Sequence, residues 1–198
     1  MRNAKLIAVV MSAVLLMGTA SCSNKSGVTD TPSSASETAQ TTAAGTDYLT
    51  GHATFEVSSS DLSDGFWVEA VANVVSGENA SPELEWEAVE GASCYVIYMV
   101  DMSTNGFLHW KSNNVTETKL QRGWAPSSDY VGPYPPEGST HVYDIYVIAL
   151  KTPVERLKGG LNGINPKMEE FIQSVDTDPD GNSGNIIAYG RISGKFTG

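Results

Sequence analysis

Two apolar runs stand out from the polar background of the chain. The first, Cys94-Tyr95-Val96-Ile97-Tyr98-Met99-Val100, is unbroken and bounded by Gly91 and Asp101, the pattern of a strand buried on both faces. The second spans residues 141–150. Its alternation places His141, Tyr143, Ile145 and Val147 on one face and Val142, Asp144, Tyr146 and Ile148 on the other, because successive side chains of a strand point to opposite sides. Shorter runs at 54–57, 66–75, 84–86, 107–111 and 186–192, separated by Gly, Asn, Ser and Pro clusters, predict further strands. Residues 166–175 carry a helical period instead: Asn165 is placed to cap, Pro166 suits the first turn, and Met168, Phe171, Ile172 and Val175 share one face. Many strands without regular βα alternation predict a mainly β, sandwich-like domain with a late helix packed on it.

The first 46 residues follow a different pattern. Arg2 and Lys5 precede an apolar stretch from Leu6 to Met17, and small residues follow; this is a charged region, a core too short to span a bilayer, and a cleavage region. Thr19-Ala20-Ser21 before Cys22 resembles the lipobox of bacterial lipoproteins, whose cysteine is lipidated and becomes the new N-terminus, with Thr19 where that family prefers Leu. Ordinary cleavage into a secreted protein is the alternative. From Ser23 to Thr46, 11 of 24 residues are Ser or Thr and none is aromatic, so the segment cannot bury enough apolar surface to offset its ordering entropy. The expected organisation is a signal peptide over 1–21, a lipidated Cys22 with a flexible linker over 22–46, and one domain over 47–198. The expected address is extracytoplasmic, on a bacterial membrane, held by a lipid anchor rather than a span.

Charge narrows the function classes. The formal net charge is −11 with 12 Lys+Arg against 23 Asp+Glu, and loss of Arg2 and Lys5 with the signal would make it more acidic still. Such a chain lacks the positive field that nucleic-acid phosphates require, so no nucleic-acid partner is expected. With Cys22 lipidated, Cys94 has no intramolecular disulfide partner, and its apolar run marks a buried thiol. No GxSxG, HExxH, P-loop, GxGxxG or CxxC motif occurs, and three histidines are too scattered to form a zinc site by spacing. No cofactor and no metal is expected.

Polar residues cluster where strands end. Asp101 closes the first apolar run, His109-Trp110 follow eight residues on, and Gly132-Pro133-Tyr134-Pro135-Pro136 form a stiff loop ahead of His141 and Tyr143. One carboxylate, two imidazoles, a phenol and a proline-fixed backbone would suit a pocket for a phosphate-like or carboxylate anion, with Asp101 orienting a histidine rather than touching the anion. Singly, each residue also fits an ordinary role: His109 as a core histidine, His141 and Tyr143 as half-buried strand residues, Asp101 as a turn acid.

In sequence order, Ser81-Pro82-Glu83-Leu84-Glu85-Trp86, the strand into Asp101, Gly106-Phe107-Leu108-His109-Trp110, the Gly132–Pro136 loop and His141-Val142-Tyr143 resemble the phosphatidylethanolamine-binding proteins, nearest to their bacterial YbhB/YbcL, Raf-kinase-inhibitor-like branch. The resemblance runs from about Ser58 to the C-terminus. It implies two antiparallel sheets with a peripheral C-terminal helix and an anion pocket formed by Asp101, His109, Gly132, Pro133, His141 and Tyr143. Asp101-Met102-Ser103 stands where the family has Asp-Pro-Asp. A second carboxylate is therefore missing, which weakens the case for an ammonium-bearing headgroup, and Met102 is expected to offer an apolar wall.

The expected function is non-enzymatic: an extracytoplasmic protein binding a small anionic ligand or phospholipid headgroup. The alternatives are a protein-interaction module inhibiting a protease or envelope protein, and a hydrolase using His109 or His141 as base, for which Ser103 sits in no nucleophile elbow. Asp176-Thr177-Asp178-Pro179-Asp180-Gly181-Asn182 resembles half an EF-hand loop, but Ile187 occupies the position of its bidentate Glu, so a solvated polar turn is expected over a calcium site.

Overall fold

The computed structural model describes residues 46–198. The expected signal peptide, Cys22 and nearly all of the expected linker lie outside the described residues. Among the described residues, eleven strands and one short α-helix follow in order: β1 (Ala53–Thr54), β2 (Val57–Ser58), β3 (Leu62–Ser63), β4 (Phe66–Trp67), β5 (Leu84–Trp86), β6 (Cys94–Asp101), β7 (Phe107–Val115), β8 (Lys119–Leu120), β9 (Thr140–Leu150), β10 (Gly163–Ile164), α1 (Met168–Gln173) and β11 (Ile186–Thr197). They form two sheets, an eight-stranded one in the order β10-β7-β6-β9-β11-β4-β3 with β1 also on β11, and a three-stranded one, β2-β5-β8. The larger sheet is not purely antiparallel, because β1 and β4 both run parallel to β11.

Strands β6 and β9 are apolar on both sides because the large sheet separates two cores. On one face Tyr95, Ile97, Met99, Tyr143, Ile145 and Val147 pack against Val57, Leu84, Trp86 and Leu120 of the small sheet. On the other, Val96, Tyr98, Val100, Tyr146 and Ile148 are covered by Met168, Ile172 and Val175 and by Leu49. Each such side chain taken from water contributes about 1.5–3 kcal/mol. Cys94 is 2% exposed, and burial pushes its thiol above the ordinary range.

Three local expectations change. The run at 54–57 is two strands, since the chain leaves the large sheet after β1 and joins the small one at β2. The run at 66–75 is a strand only over Phe66–Trp67. A 3₁₀ turn then covers Glu69–Val71, and the chain folds back on itself, with Glu78 N–H donating to Ala70 O at 3.1 Å and Asn79 N–H to Ala72 O at 3.0 Å. The helix starts late, at Met168. The Asn165 amide is spent elsewhere, donating to Gly163 O at 2.7 Å and Gly160 O at 3.0 Å while accepting from Gly160 N–H at 2.8 Å, so no side chain caps α1. The buried helical face is nonetheless Met168, Ile172 and, in the 3₁₀ turn that follows, Val175.

Candidate functional site

Three consecutive strands of the large sheet, β9, β6 and β7, bring the polar side chains together. Asp101 ends β6, and His141 and Tyr143 begin β9, which pairs with it so that Asp101 lies opposite Tyr143. One Asp101 carboxylate oxygen accepts the Ser103 N–H at 2.8 Å and the other lies 2.6 Å from His141 Nδ1. Both oxygens are thus engaged, and the carboxylate fixes the proton of His141 on Nδ1 and leaves Nε2 outward.

His109 arrives by a β-bulge. Val100 pairs with Leu108 and the preceding Met99 with Trp110, so His109 is the extra residue on β7. A bulge re-aims the inserted side chain; Leu108 enters the second core and Trp110 the first, while the His109 ring lies 5.1 Å from that of Tyr143, nearly perpendicular at 83°. The His141 ring is 6.4 Å from Tyr143. His109 Nδ1 donates to Val131 O at 2.9 Å, and Val131 N–H returns a bond to His109 O at 2.8 Å. Burial pushes His109 below the ordinary imidazole range; the Val131 carbonyl and the Asp101 charge oppose that shift without cancelling it. Tyr143 is 1% exposed, and burial, then the Asp101 charge, raise its hydroxyl so that it stays protonated. That hydroxyl has no hydrogen-bond partner among the described residues.

Gly132 and Pro133 position the site and donate nothing to it. The Gly132 N–H is taken by Asn79 Oδ1 at 2.7 Å, Pro133 has no N–H, and its carbonyl accepts from Asn73 N–H at 2.8 Å. The folded-back 69–79 segment is thus the cradle of this loop, reinforced where Tyr130 donates to Val71 O at 2.7 Å. Met102 is not the expected apolar wall. It alternates to the far face and packs on the second core, while Ser103 Oγ accepts the Val142 N–H at 2.9 Å.

Three residues outside the six expected for the site also border it: Phe107, Tyr134 and Asn162. Tyr134 was visible as an aromatic in a proline loop, but nothing local placed its ring 5.8 Å from His109. In the acidic loop, Asp176 accepts from the Ile186 and Gly184 amides and Asp178 from those of Asp180 and Asn182. Its carboxylates are turn acceptors, and no metal-binding group of three acids, His or Cys occurs among the described residues.

A separate cavity of about 290 Å³ is lined by Asp47, Thr54, Phe55, Glu56, Tyr189 and Arg191. Its cation already meets Asp144 at 2.5 Å and Asp47 at 3.6 Å, so with two acids in the lining it offers an anion little. The chemistry favours the histidine cluster over this cavity.

The family model for phosphatidylethanolamine-binding proteins matches residues 58–178. Among solved structures, the chain is similar to Escherichia coli YbcL, a member of the mammalian PEBP family, with 22% identity, a TM-score of 0.54, and coverage of 73% of this chain and 99% of that one. It is also similar to the PEBP homolog CT736 of Chlamydia trachomatis, with 19% identity, a TM-score of 0.52, and coverage of 73% and 98%. At these identities the likeness is one of fold. No curated protein matches the chain.

Proposed function

The chain belongs to the phosphatidylethanolamine-binding protein family, and from that premise we propose that it is a non-enzymatic binding protein holding a small phosphate- or carboxylate-bearing ligand among His109, His141 and Tyr143. The observation that carries this reading is the convergence of two imidazoles and one phenol from three stretches of chain, each ring held by packing or by a hydrogen bond on its inner side. The Nδ1 atoms are occupied by Val131 and Asp101, so the Nε2 atoms are left to meet a ligand. Neutral His109 presents a lone pair there, and an anion is accepted when a proton is shared between the two.

Phosphate added to millimolar concentration is expected to move the ring resonances of His109 and His141. Its affinity should rise as pH falls from about 8 to about 6, because binding takes up a proton on His109 or on the phosphate. His141→Ala should abolish the response. Rings that stay unmoved would defeat the reading. The membrane address is a proposal of its own, resting on the Cys22 motif: Cys22→Ser is expected to shift the protein from the membrane to the soluble fraction, and a variant that stays with the membrane would overturn it.

A further inference from the structure

Beside His109 the surface becomes apolar, through residues from three stretches of chain. Phe107 and Ile164 are partners across the β7–β10 pair, so their side chains share a face. The Phe107 ring is 4.9 Å from His109 and 5.8 Å from Tyr134, which it meets edge-on. The Tyr134 hydroxyl donates to Asn162 Oδ1 at 2.6 Å, tying this ring to the stretch that carries Ile164. Ile164 is 60% exposed and Tyr134 39%. Neither contributes to the two cores, so packing does not account for large apolar groups beside an imidazole. None of these side chains is charged. Across the site, both Asp101 oxygens are engaged, Met102 turns to the second core and Ser103 to the Val142 amide.

From this juxtaposition, and resting on the anion site proposed above, we infer that the ligand's anionic group carries an apolar, preferably aromatic, substituent that lies against Tyr134, Phe107 and Ile164. Tyr134 is the residue that sets the preference. An aryl group gains burial and ring-edge contact there. An ammonium in the same place finds no carboxylate among these residues, and attraction to an exposed ring face is weaker than burial of a whole ring.

Calorimetry on the full-length chain with inorganic phosphate, phosphoethanolamine and phenyl phosphate separates the possibilities, with the histidine resonances confirming where each binds. Phenyl phosphate is expected to bind about tenfold more tightly than phosphoethanolamine. The ratio should fall towards one in Tyr134→Ala, persist in Tyr134→Phe and fall partway in Ile164→Ser, two positions exposed enough for the fold to tolerate. Phosphoethanolamine binding as tightly as phenyl phosphate, while inorganic phosphate still moves both histidines, would overturn this inference and leave the anion site standing. A ratio unchanged in both Tyr134→Ala and Ile164→Ser would overturn it too. Three silent anions would remove the anion site and the inference together.

Discussion

Replacing Arg191 with methionine is expected to destabilise the domain by about 3–5 kcal/mol at neutral pH. Asp144 lies on β9, fully buried in the second core face, and the Arg191 side chain of β11 reaches it with Nε at 3.0 Å and Nη2 at 2.5 Å, both to the same oxygen. The other oxygen, Oδ1, has no hydrogen-bond partner. Burial works against the guanidinium charge, and the Asp144 and Asp47 carboxylates hold it on nevertheless; the Tyr146 ring lies 5.6 Å beneath. Without Arg191 the carboxylate is left charged and unpaired in apolar surroundings. Urea unfolding at neutral pH checks the size. Asp144→Leu combined with Arg191→Met should recover most of the loss, because the buried charge is then gone. A single-variant deficit below about 1 kcal/mol would show that water reaches Asp144.

Gly132→Ala is the second large effect. A Cβ there would stand 2.1 Å from Val71 O and 2.8 Å from Asn73 N, both backbone atoms, so the loop or its cradle must move as a unit. The expected cost is about 3 kcal/mol, a melting shift of roughly 6–12 °C for a domain of this size. The phosphate response of His109 should be lost with it, because Val131 O, one residue away, holds the imidazole. A variant that melts normally and still responds to phosphate would show that the contact is relieved cheaply.

Much of this architecture was legible locally. An unbroken apolar run bounded by turn residues had to lie between two cores, and alternation in β9 sorted Tyr143 and Ile145 from Tyr146 and Ile148 correctly. The six residues proposed for the site could be named from motif order. Their roles could not. That Gly132 spends its amide on Asn79 depends on a segment some fifty residues earlier folding back, which nothing in the apolar run at 66–75 announces. Met102 pointed away from the site for a reason visible only once β6 was paired: its parity belongs to the second core. Asn165 has the chemistry of a cap, and whether it caps depends on whether the turn at 160–163 competes for its amide.

By itself, the amino-acid order determined where the long strands lie, the two-faced burial of β6 and β9, and which polar residues stand at strand ends, because burial and alternation are short-range consequences of side-chain chemistry. Tertiary structure decided which of those residues meet. The bulge that turns His109 towards Tyr143 exists only in the register between β6 and β7, and register is set by many cross-strand contacts at once. The apolar rim at Tyr134 and Ile164 is of the same kind: side chains unremarkable in their own stretches become neighbours because edge strand and proline loop close on one corner of the sheet.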